Sequence, residues 1–118
     1  MKSSTQVMKT PEEFIEFFEA IPDEDWICGS IYGPKCCALG HLGVKSYFSF
    51  ENEPHVIENV LCLGTILDPY NQVNCSDTGF FPSAANIIWR TNDNDSGNYK
   101  GKPPKERIIN TLKDKINK

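Results

Sequence analysis

The sequence predicts a mostly α, compact single domain of about five helices, with room for a small two-stranded element near residues 27–33. Three observations lead there. Apolar residues recur at helical spacing in successive segments. Prolines and capping residues stand where those segments begin. The 118-residue length matches one domain, and what the helices leave over has little room for a sheet.

The elements follow in order. Residues 1–9 are polar and read as a flexible arm, with the globular domain over 10–118. Thr10-Pro11-Glu12-Glu13 supplies an N-cap, an N1 proline and first-turn acids. Phe14, Phe17, Phe18 and Ile21 then form one aromatic stripe, opposite Glu13, Glu16 and Glu19, until Pro22 stops the helix. Asp23-Glu24-Asp25-Trp26 reads as a short helical turn, and Ile27 to Gly33 as an extended stretch with glycine hinges. A second helix is predicted from about Lys35 to Phe48, with Cys37, His41, Val44 and Phe48 on one face. Because it is apolar nearly all round and contains Gly40 and Gly43, it should be central.

Glu51-Asn52-Glu53-Pro54 opens a third helix carrying Val56, Val60, Leu63 and Leu67, ended by Asp68-Pro69. Residues 68–82 hold no sustained period and form a loop long enough to suspect a role. Ser83 to Arg90 leans to helix, although Ile87-Ile88-Trp89 also suits a strand. The stretch from Thr91 to Tyr99 is turn-rich, and Pro103-Pro104 opens a last helix with Ile109, Leu112 and Ile116 inside.

Composition excludes several classes. A net charge of −4 without a basic stripe argues against general nucleic-acid binding. No apolar run is long enough to span a membrane, and the N-terminus lacks a signal-peptide core, so a cytoplasmic location is expected. Five cysteines, an odd number, fit a reducing compartment as thiols.

The run Gly33-Pro34-Lys35-Cys36-Cys37-Ala38-Leu39-Gly40-His41 draws most attention. A thiol at a helix start is acidified by the unpaired N–H groups there, and an imidazole one turn on could act as a base. Cysteine catalysis needs a nucleophile, a base and an orienting group. The candidates are Cys37 (or Cys36) as nucleophile and Asp93 or Asn92 as orienting group; as base, His41 lies on the face of Cys37, too constrained along one helix to be the usual partner, whereas His55 could approach from the third helix. The competing reading makes Cys37 a small buried hydrophobe and His41 a core histidine.

Zinc held by Cys28, Cys36 or Cys37, His41 and Cys62 or Cys75 lacks any C-x-x-C knuckle. Calcium in Asn92 to Gly97 fails in register, since counting from Gly97 as the sixth position puts Pro103 where the bidentate Glu belongs. No phosphate-loop frame occurs. Neither metal nor cofactor is therefore expected. Trp26, Tyr32, Trp89, Arg90, Asn92 and Tyr99 are the candidate binding residues, because aromatic rings beside an arginine suit contact surfaces.

Trp26-x-x-Gly29, Cys37-Ala38-Leu39-Gly40-His41, Asn92-Asp93 and Pro104-Lys105-Glu106-Arg107-Ile108 stand in an order that resembles a group of small uncharacterised proteins of bacteria and their phages. The resemblance spans roughly residues 11–117. It departs where Asn94 replaces a glycine and Pro103 a threonine or serine. It implies no activity or cofactor, but it does imply that Trp26, Cys37, His41, Asn92 and Asp93 meet in space.

The function expected is that of a non-enzymatic accessory protein, of a bacterium or mobile element, that binds a partner protein or small ligand. The alternative is a cysteine-dependent hydrolase or transferase using Cys37 with a histidine and Asp93. Oligomeric state stays open.

Overall fold

The computed structural model describes residues 7–27, 36–45, 51–68, 81–93 and 101–116. Five α-helices occur among them: α1 (Pro11–Glu19), α2 (Ala38–His41), α3 (Pro54–Leu67), α4 (Phe81–Asp93) and α5 (Pro104–Ile116). A 3-10 turn at Asp23–Asp25 follows α1. The described residues include no strand, only an isolated parallel bridge joining Trp26 to Cys36. Most of the predicted two-stranded element, residues 28–33, lies outside the described residues.

Helix α1 starts as the sequence dictates: Thr10 Oγ1 accepts the Glu13 N–H at 3.2 Å, and Pro11 costs no intrahelical bond at N1. Its far end is held from another helix. Lys105 Nζ donates to the Glu19 and Ile21 carbonyls at 3.2 and 2.7 Å and pairs with Asp23 at 2.9 Å. A cation on the last carbonyls of α1 complements its dipole and ties α1 to α5.

Of residues 7–9, assigned by the sequence to the flexible arm, Met8 enters the core while Lys9 is exposed. Met8 is fully buried, and its N–H donates to Asn59 Oδ1 at 2.7 Å.

Helix α2 is four residues long, not the fourteen predicted from Lys35 to Phe48; residues 46–50 lie outside the described ones. Gly43 ends it with φ 99°, a backbone conformation that suits glycine. The Gly43 N–H reaches the Gly40 carbonyl at 3.0 Å and the Val44 N–H the Leu39 carbonyl at 3.1 Å. Those two bonds form a Schellman cap. Apolar spacing continued past this point, but the backbone had already turned.

Helix α3 packs on α4 and α1 on α5, while α4 also touches α2 and α5. The α3–α4 approach depends on Gly64. A Cβ there would lie 2.7 Å from Ala84 Cβ and 2.9 Å from Ala84 Cα. The core joins Phe14, Phe17, Phe18, Leu39, Leu42, Val60, Leu63, Phe81, Ile88, Ile108 and Leu112.

Helix α4 runs through Thr91, Asn92 and Asp93, which the sequence assigned to a turn, and begins at Phe81 inside the predicted loop 68–82. On α5, Ile116 is exposed, whereas Arg107, Ile108, Ile109 and Leu112 face inward. No described helix is long and apolar enough to cross a membrane.

Candidate functional site

The bridge between Trp26 and Cys36 builds the first part of the site. The Cys36 N–H donates to the Asp25 carbonyl at 3.1 Å, and the Ile27 N–H to the Cys36 carbonyl at 3.2 Å. The chain then enters α2, whose last residue, His41, turns its ring back toward this bridge. His41 Nε2 lies 3.1 Å from the Asp25 carbonyl, and Nδ1 lies 3.5 Å from Cys36 Sγ. A carbonyl only accepts, so Nε2 carries the ring proton and Nδ1 presents its lone pair to the thiol.

The sulfur against His41 is therefore that of Cys36, whereas the sequence paired His41 with Cys37. The physical reason is the helix boundary. Cys37 is the extended N-cap of α2, with φ −79° and ψ 178°; its carbonyl accepts the His41 N–H at 3.1 Å, but the sulfur that meets the imidazole is that of Cys36 in the preceding bridge.

Burial governs the protonation of all three groups. It pushes the Cys36 thiol up from 9.0 to about 11, helped by the nearby charges of Cys37 and Asp25. It also raises Cys37, where the pull of the Gly40 and Leu39 N–H groups is outweighed and Asp93 adds repulsion. His41 is lowered by burial against the opposing influence of Asp25 and Cys36. At neutral pH the pair is a neutral thiol donating to a neutral imidazole.

Trp26 is buried, not a surface contact. Its ring packs edge-on against Phe18 at 5.5 Å and tilts over His41 at 4.9 Å. Its indole N–H meets no acceptor among the described residues. Asn92 is fully buried as well. Its Oδ1 accepts the Ala38 N–H at 3.1 Å and so caps α2 from α4, while Nδ2 donates to the Ile27 carbonyl at 3.3 Å and to Asp93 at 2.6 Å. Arg107, buried on α5, donates through Nε and Nη2 to the Asn92 carbonyl at 3.0 and 2.6 Å. Trp26, Cys37, His41, Asn92 and Asp93 thus share one neighbourhood, but Trp26 and Asn92 have joinery roles there.

The second part of the site is the outer face of α4. Pro82, Ser83, Asn86, Trp89 and Arg90 are exposed along it. Trp89 is 41% exposed, and its Nε1–H donates to Asp93 Oδ2 one turn on. Beside it Arg90 lines an open cleft of about 420 Å³ with Leu67, Asp68, Asn86, Ile87 and Thr91.

Tyr32, Tyr99 and residues 69–80 lie outside the described residues. His55, the other candidate base, sits 3.4 Å from the Glu53 carboxylate at the start of α3. Sequence reasoning assigned no role to Arg107, noted only within a motif, or to Asn59, buried polar anchors whose partners are distant in the chain. The described residues contain no cluster of three His, Cys, Asp or Glu side chains able to hold a metal ion. No protein-family model, curated protein or solved structure matches the chain.

Proposed function

We propose that the chain is a non-enzymatic accessory protein of a bacterium or mobile element, working in the cytoplasm and binding a partner protein through the outer face of α4. The observation that carries this reading is Trp89. A large aromatic ring lies open to solvent while Asp93 fixes its orientation, so docking would bury apolar area at little cost in side-chain freedom. Arg90 stands next to it and adds a planar cation suited to contact surfaces. Small-ligand binding in the α3–α4 cleft is the version favoured by the Arg90-lined walls.

A photo-crosslinking residue at Asn86, exposed on the same face, tests the reading without touching Trp89. Irradiated in cells, the Asn86 variant should give a discrete heavier adduct that a probe at Glu16, exposed on α1, does not. Identical adducts from both positions would remove the α4 face from consideration.

A cysteine-dependent hydrolase or transferase is the second reading. The 3.5 Å contact of Cys36 Sγ with His41 Nδ1 favours it, with Cys36 in place of Cys37 as the attacking sulfur. A nucleophile needs thiolate at working pH, and burial of Cys36 opposes that.

A further inference from the structure

We propose that Cys36 Sγ and His41 Nδ1 form a two-coordinate site for a soft monovalent cation of the copper(I) or silver(I) kind, which replaces the proton shared by the pair. The two donor atoms face each other at 3.5 Å. His41 is held from behind, its Nε2–H on the Asp25 carbonyl at 3.1 Å, which aims the Nδ1 lone pair at the sulfur. Metal-binding histidines are oriented by an outer hydrogen bond of the same kind.

The donor set then selects the ion. Thiolate and imidazole suit soft ions, and zinc and calcium require more ligands than converge here among the described residues. A filled-shell monovalent ion is satisfied by two. Charge selects in the same direction. Cys36 is only 6% exposed, so a lone thiolate or imidazolium would bring an uncompensated charge out of water. A monovalent ion entering as the thiol proton leaves keeps the site neutral, whereas a divalent ion would leave a net positive charge.

The exchange balances: the S–H bond breaks, S–metal and N–metal bonds form, and the proton passes to solvent with no change in oxidation state. Metal–sulfur and metal–nitrogen bonds of about 2.3 and 2.0 Å span about 3.7 Å when bent to about 120° and about 4.3 Å when linear. A small rotation of the Cys36 side chain supplies the difference. This inference is independent of the α4 reading.

The test titrates copper(I), without oxygen, into the full chain against a chromophoric copper(I) chelator. Wild type should take one ion tightly. Competition should weaken by more than about tenfold in Cys36→Ser and His41→Gln, and stay unchanged in Cys37→Ser and Cys62→Ser. Because the first two variants could lose the fold, X-ray absorption on loaded wild type provides a second reading. One sulfur and one imidazole nitrogen in the shell are expected. Unchanged competition in Cys36→Ser, or a shell of sulfur alone, would overturn the proposal.

Discussion

A backbone carbonyl decides the residue-scale chemistry around His41. By accepting from Nε2, Asp25 turns Nδ1 toward Cys36 and gives a neutral thiol–imidazole pair instead of an activated thiolate. Alkylation with iodoacetamide, followed at the Cys36 peptide by mass spectrometry, should therefore be slow at pH 7 and rise steeply only toward pH 11. A fast reaction at neutral pH with an apparent pKa below about 8.5 would restore the catalytic reading. Asn92 makes the opposite kind of claim, for a residue picked out as a binding group whose amide is spent on the Ala38 N–H and the Ile27 carbonyl. Asn92→Ala leaves the buried Ala38 N–H unsatisfied and should cost about 1–3 kcal/mol in urea denaturation.

At the scale of elements, α1, α3 and α5 were legible because their start signals are local: Thr10-Pro11, Pro54 and Pro104 each stand at a helix entrance. Helix α2 was not. Its spacing continued past Gly43, but a positive φ and a two-bond cap ended the helix, and neither shows in a hydrophobic period. Asn92 and Asp93 have turn composition yet lie in α4, where bonds to α2 and α5 override their local preference. Gly64 is the clearest packing requirement. Its missing Cβ lets α3 approach Ala84, whose Cβ, Cα and carbonyl oxygen, all short and stiff, are what a methyl would meet. Gly64→Ala should destabilise by about 1–3 kcal/mol despite its better helix propensity. A gain in stability would mean that α3 and α4 can separate freely.

Over the whole molecule, the candidate site divided into an interior and an exterior. The interior group, Trp26, Cys36, Cys37, His41 and Asn92, joins α2 to the 3-10 turn and α4. Cys36 and His41 are near neighbours in sequence, but the Asn92 and Asp25 groups that position them are distant, so the chain alone showed the residue types without their pairing. The exterior group, Trp89 and Arg90, was recognisable as aromatic plus cation. Only the position of α4 against α3 and α5 distinguishes the open Trp89 from the buried Trp26. On this proposal α4's outer face is the working surface of a fold that does not depend on it. The test is capture of a partner protein by the immobilised chain, wild type against Trp89→Ala/Arg90→Ala, with melting temperatures taken in parallel. Capture should be lost while the melting temperature moves by less than about 4 °C, as expected of exposed positions; undiminished capture by the double variant would contradict the claim.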